Sequence, residues 1–166
     1  MTYHYHSDSL SRTEKLARHL ALLAPPGTVI ALNGTLGAGK TAFSRAFAEA
    51  LGVDENAVSS PTYSLIQHYL GDQMIHHLDL YRIESPEELY ELGIEELLEG
   101  KAISLVEWSN KYPEVLPQDY LEINIESLGD SERRILLQPT GKRSCDLLER
   151  LSQDLPDDLI PENKYT

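Results

Sequence analysis

The sequence holds one cysteine, Cys145, and about half as many basic as acidic residues, 14 against 27. A lone cysteine excludes an intramolecular disulfide and a cysteine zinc cluster, so the reading is a reducing cytoplasm. No apolar run approaches the roughly 20 residues that cross a bilayer, and no membrane segment is expected. The opening Met1-Thr2-Tyr3-His4 lacks the basic and apolar regions of a secretion signal. A net charge of −13 argues against unaided binding to nucleic acid, whose phosphates are repelled at long range. What remains is ordinary for a globular protein. The 166 residues are 41% hydrophobic and 25% charged, enough for one domain with a real core and too apolar for a disordered chain.

The acidic charge is concentrated. Between Ile83 and Gly100 stand seven glutamates (Glu84, Glu87, Glu88, Glu91, Glu95, Glu96 and Glu99) with no Lys or Arg. Such a stretch reads either as a solvated helical face or as a docking surface for a basic partner.

The first helix is predicted to start at Ser11, because Ser11-Arg12-Thr13-Glu14 has capping-box spacing. Leu16, Leu20 and Leu23 continue it, and Pro25-Pro26-Gly27 stops it. Thr28 to Leu32 is a short continuous apolar run, suited to a strand buried on both faces. Phe43, Ala46, Phe47, Ala50 and Leu51 fall on one helical face, ending at Gly52. Tyr63 to Leu70 and Gln73 to Tyr81 read as a hairpin across Gly71-Asp72. Ser85-Pro86-Glu87-Glu88 is a helix start. Ala102 to Val106 is a second buried strand, and Leu121, Ile123 and Ile125 alternate with polar residues opposite Arg134 to Gln138. A last helix is expected around Cys145 to Leu151. The domain is drawn as 1–153, with 154–166 as a polar tail, frayed or disordered. Strands separated by helices, with hairpins added, give an α/β class with a mixed sheet.

Gly34-Thr35-Leu36-Gly37-Ala38-Gly39-Lys40-Thr41 matches the P-loop pattern. Glycines let the backbone turn its N–H groups inward, and the next helix adds its positive end, so the nest suits anionic phosphate. Lys40 is the candidate for the β- and γ-phosphates of a nucleotide, and the Thr41 hydroxyl for Mg²⁺. At glycine frequencies of about 7%, the bare pattern arises by chance in roughly one such chain in a few hundred. Here an apolar strand precedes it and an amphipathic helix follows. A P-loop also needs a carboxylate at the end of a buried strand. Glu107, closing Ile103-Ser104-Leu105-Val106, and Asp79, within His76-His77-Leu78-Asp79-Leu80-Tyr81-Arg82, are the two candidates. The adjacent His76 and His77 point to opposite strand faces and are not read as a metal pair.

Four segments in this order resemble one family: Leu32-Asn33-Gly34 through Thr41, Ser60-Pro61-Thr62-Tyr63-Ser64-Leu65, His77 through Arg82, and Val106-Glu107-Trp108-Ser109. The resemblance is to TsaE (also called YjeE), the small bacterial ATPase of the tRNA threonylcarbamoyladenosine pathway. It implies a single-domain, three-layer P-loop NTPase-like fold with a mixed, partly antiparallel sheet. It also implies ATP and Mg²⁺ as cofactors, and TsaB and TsaD homologues as partners, with tRNA held only indirectly through their complex. Carried over by position, Gly34 to Thr41 cradle phosphate, Thr41 and Glu107 hold Mg²⁺, and Asp79 serves hydrolysis. Thr62 senses the γ-phosphate, or else Ser60-Pro61-Thr62 is a plain turn. Arg134 either reaches nucleotide or sits on an exposed charged strand, and Trp108 either packs or faces a partner. The base is expected against the segment His6 to Thr13. Thr35 departs from the family, which often has Asp there. Two competing readings are a nucleotide-gated binding module with little hydrolysis and a P-loop small-molecule kinase. The kinase is disfavoured because no compact Arg-rich lid is visible.

Overall fold

A computed structural model describes residues 1–58 and 65–162. In chain order the elements are β1 (Tyr3–Ser7), α1 (Leu10–Leu23), β2 (Val29–Gly34), α2 (Lys40–Ala50), β3 (Ile66–Leu70) and β4 (Met74–Asp79). There follow α3 (Pro86–Glu91), α4 (Ile94–Glu99), β5 (Ile103–Glu107), two short 3-10 turns, β6 (Leu121–Ser127), β7 (Arg133–Pro139), α5 (Lys142–Asp154) and β8 (Leu159–Pro161). The strands form one sheet in the order β3-β4-β5-β2-β6-β7-β1-β8. Strands β4, β5, β2 and β6 run parallel to their neighbours, and β3, β7, β1 and β8 add antiparallel pairs. The expected mixed α/β, P-loop NTPase-like architecture is the one adopted.

Residue alternation explains the layers. Ile30 and Leu32 of β2 pack with Leu16, Phe43, Phe47 and Leu151, from α1, α2 and α5. Val29, one step out of phase, packs with Leu89, Ile94 and Leu98 of α3 and α4 on the opposite face. A central parallel strand covered on both sides must be apolar at every position, and β2 is buried from Val29 to Asn33. No helix among the described residues is long and apolar enough to cross a membrane.

Two sequence expectations shift, the start of the first helix and the tail. Helix α1 begins one turn-step earlier, with Ser9 as its N-cap: the Ser9 hydroxyl accepts from the Arg12 amide at 3.3 Å. Ser11 lies inside the first turn, and Thr13 instead bonds the Ser7 hydroxyl at 2.7 Å. The acidic region is two short helices broken at Gly93, whose φ of +69° a side chain would strain. All seven glutamates are exposed, while Leu89, Ile94 and Leu98 face the sheet.

The tail from Asp154 is not frayed over its described part. Leu155 and Leu159 are buried, and β8 pairs antiparallel with β1, Tyr5 opposite Leu159. Asp158 accepts from Arg12 at 2.6 Å and from Lys15 at 2.8 Å. A three-residue strand has no periodicity to read, and its partner β1, at the far end of the chain, was also not anticipated. Residues 163–166 lie outside the described residues.

The Lys15 ammonium, with Arg12 beside it, holds the Asp158 carboxyl below the usual carboxylate range. A depressed folded-state value means stability that is present above the ordinary carboxylate pKa and lost as pH falls through the folded one. Asp158→Asn is therefore expected to lower stability by about 1 kcal/mol near neutrality and by little in acid. Denaturant unfolding at both pH values checks this, and an equal loss at both would show that charge is not the cause.

Candidate functional site

Strand β2 leads straight into the glycine-rich loop, and α2 begins at Lys40. Gly34 is there because the loop passes against β6: a Cβ on it would lie 2.7 Å from the Ile125 carbonyl oxygen. Gly39, with φ of +113°, turns the chain into the helix, and no side chain caps that helix start. The first-turn N–H groups of α2 are thus left for a ligand. Thr35, Leu36 and Gly37 are exposed along the loop, and Ala38 is buried beneath it. Thr35 contributes its carbonyl rather than its side chain, accepting from Ala38 N at 3.1 Å and Lys40 Nζ at 3.0 Å.

Lys40 is 6% exposed, and its ammonium also donates to the Gly34 carbonyl at 2.5 Å. The ammonium lies 4.2 Å from the Trp108 ring centroid. Burial pushes its pKa down from the ordinary lysine value, against the opposing pull of Glu107 and Asp79.

Parallel pairing of β4 with β5 places Asp79 opposite Glu107 at the same height in the sheet. Both share the parity of Ile75, Ile103 and Leu105, which pack on the α2 side, so both carboxylates turn toward the loop. Together with Lys40, Thr41 and Trp108 they line a cavity of about 210 Å³. Asp79 Oδ1 accepts from the Tyr81 amide at 2.9 Å, which shapes the chain as it leaves β4. Glu107 Oε2 lies 2.6 Å from His77 Nε2.

Trp108 has a left-handed backbone, φ 58°, rare for a bulky residue. Asn33, buried at the end of β2, holds the turn that follows: its Oδ1 accepts from the Ser109 hydroxyl at 2.9 Å and the Asn110 amide at 3.3 Å. The indole packs on Tyr81, ring centroids 4.9 Å apart, and so roofs Lys40.

The two histidines separate as alternation requires. His77 is buried toward α2, while His76 meets His68 of the neighbouring strand at 2.7 Å. Arg134 is not brought to the loop; it is exposed and bonds Glu126 at 2.7 and 3.0 Å. Its neighbour Arg133 shares the inward parity of Ile135 and reaches the loop, donating to the Ala38 carbonyl at 2.8 Å. Along the segment where the base was expected, Ser9, Leu10 and Thr13 border, with Ala38, Gly39 and Arg133, a cavity of about 280 Å³. His6, at the start of that segment, bonds Glu132 at 2.6 Å instead. Thr62 and its Ser60-Pro61 neighbours lie outside the described residues.

Sequence reading missed Arg133, Asn33 and the His77 contact. The first was legible in principle, from the two-residue alternation running back from Ile135. The others join residues 76 and 30 positions apart, where no local pattern exists.

Known proteins match the chain over most of its length. The family model "Threonylcarbamoyl adenosine biosynthesis protein TsaE" matches residues 7–135. The chain is 42% identical to the tRNA threonylcarbamoyladenosine biosynthesis protein TsaE of Bacillus subtilis, over 85% of this chain and 88% of that one. It is also 42% identical to the TsaE of Rickettsia conorii, over 76% of this chain and 72% of that one. The crystal structure of Bacillus subtilis YdiB superimposes with a TM-score of 0.77 at 34% identity, covering 93% of this chain and 96% of that chain. From the fold, the strand–loop–helix cradle and these matches together, the chain belongs to the TsaE family.

Proposed function

We propose that the chain is a Mg²⁺-dependent ATPase subunit of the machinery that makes threonylcarbamoyladenosine in tRNA. It would act in the cytoplasm with TsaB and TsaD homologues. The observation that carries the reading is the single cavity in which Lys40, Thr41, Asp79 and Glu107 converge at an uncapped helix start. The residues fit the nucleotide and the cation: backbone N–H groups and one buried ammonium for phosphate, and oxygen donors of the kind Mg²⁺ prefers. When bound, Mg²⁺ would offset the charge developing on the transferred phosphoryl group.

The chain's own residues divide the work. Residues Gly34 to Gly39 present backbone donors, and Lys40 supplies the positive charge for the β- and γ-phosphates. Thr41 and Glu107 hold the cation, Asp79 orients the attacking water, and Trp108 roofs the lysine against solvent. Thr62 serves as the γ-phosphate sensor. The cavity beside Ser9, Leu10 and Thr13 takes the base. Arg134, engaged by Glu126, is the weakest of the proposed contacts, and Arg133 is the better placed.

The deciding experiment reconstitutes the chain with TsaB, TsaD and tRNA and follows phosphate release and modified nucleoside in one tube. Both are expected to need all three proteins and ATP. Modification that continues with a non-hydrolysable ATP analogue over many turnovers would favour a nucleotide-gated module, and a phosphorylated metabolite a kinase. Given the net charge of −13, the isolated chain is expected not to retain tRNA.

The exposed glutamates of α3 and α4 offer a basic partner a surface. Glu87, Glu88 and Glu91 changed together to Lys are expected to weaken assembly with TsaB–TsaD about tenfold at low salt and to flatten its salt dependence. An unchanged affinity across a salt titration would assign those residues to solvation alone.

A further inference from the structure

His77 is fully buried on the α2 side of β4, and both of its ring nitrogens are engaged. Nε2 lies 2.6 Å from Glu107 Oε2, and Nδ1 lies 3.0 Å from the Tyr69 hydroxyl. That hydroxyl in turn donates to Gln67 Oε1 at 2.6 Å. A line of contacts therefore runs from β3 across β4 to the last residue of β5. The ring can neither flip nor tilt without breaking one of them.

The surroundings do not call for a histidine on packing grounds. Leu105 stands opposite His77 in the strand register, and Ile75 precedes it on the same face; both are apolar. Burying an imidazole among such neighbours is unfavourable unless its nitrogens are bonded. Here one nitrogen is bonded to a carboxylate of the P-loop cavity. Glu107 lies two residues along β5 from Leu105, the diagonal position a ring on β4 reaches. Its other oxygen, Oε1, accepts no hydrogen bond among the described residues. A glutamate ending a strand has three rotatable bonds, and one oxygen pinned in the core leaves the second in a defined direction.

We infer that His77 is a positioning residue, which, through Nε2, holds the Glu107 carboxylate so that its second oxygen faces the cavity for a divalent cation. Tyr69 and Gln67 hold the ring that does so. This rests on the nucleotide-site reading above. Partners that orient a metal ligand typically carry tenfold to hundredfold in metal affinity.

The test uses two polar replacements that split the ring's functions. His77→Gln extends an amide to the Nε2 position and keeps a donor for Glu107. His77→Asn keeps the Nδ1 position toward Tyr69 and loses Glu107. Mn²⁺ affinity of the full chain with ATP is read by electron paramagnetic resonance, and ATP affinity in EDTA by calorimetry. His77→Asn is expected to weaken Mn²⁺ binding 10- to 100-fold, with His77→Gln within about threefold of wild type and EDTA-condition ATP affinity unchanged in both. Equal Mn²⁺ affinities in the two variants overturn the inference, as does a loss of ATP affinity in EDTA that parallels the loss of Mn²⁺. Wild type showing no cation-dependent gain would instead overturn the nucleotide-site reading, and the inference with it.

Discussion

Lys40→Ala is expected to abolish productive ATP binding while leaving the fold in place. In the cavity the ammonium is a buried cation, and among the described residues its hydrogen bonds go to the carbonyls of Gly34 and Thr35. A triphosphate replaces those neutral acceptors with anionic oxygens. Each charge-assisted bond is worth about 1.5–3 kcal/mol, so losing two weakens binding roughly 10²- to 10⁴-fold. Lys40→Arg is expected not to restore it, because a planar fork does not replace a compact charge in a cavity of about 210 Å³. Stability should move the other way. Burial depresses the lysine pKa, so the charged form works against folding below the folded-state value, and this penalty fades as pH rises toward the ordinary lysine value. Removing the ammonium removes that cost. Calorimetric titration with ATP and thermal unfolding of the same sample decide it. Normal hydrolysis in Lys40→Ala would refute the P-loop assignment.

Glu107→Ala and Asp79→Asn are expected to fail in different ways, although the two carboxylates face each other in register. If Glu107 holds the cation, its loss is expected to weaken Mg²⁺-dependent ATP binding and hydrolysis together, since a bound cation would offset phosphate charge in both. Alanine also leaves buried His77 without its carboxylate, at a stability cost of about 1–3 kcal/mol, so Glu107→Gln is the companion variant. On the proposed reading, Asp79 would act on the way to products. Asn keeps an oxygen for the Tyr81 amide, so the chain after β4 retains its course. ATP affinity should then stay within about threefold while single-turnover hydrolysis slows roughly 10²- to 10⁴-fold. Should Asp79→Asn lose binding while Glu107→Ala keeps it, the two roles are exchanged.

The parts of this protein that were legible in the sequence are those written by neighbours in the chain. The glycine loop, the apolar strand before it and the amphipathic helix after it lie within residues 28 to 51, and their conformations follow from local sterics and hydrogen bonding. The β3–β4 hairpin and the helix start at Ser85-Pro86 are equally local. Acids closing two apolar strands pointed to Asp79 and Glu107, since a buried parallel strand has few other reasons to end in a carboxylate. Tertiary structure alone decided the rest. Alternation back from Ile135 puts Arg133 on the apolar face of β7, but that this face meets the glycine loop depends on which side of the strand the helices cover. The pairing of β1 with β8 joins the two ends of the chain through strands too short to show a period. The left-handed turn that lays Trp108 over Lys40 is secured by Asn33 from another strand. The contact of His77 with Glu107 exists because β4 and β5 pair in one register, and a shift of one residue would turn each side chain to the other face of the sheet.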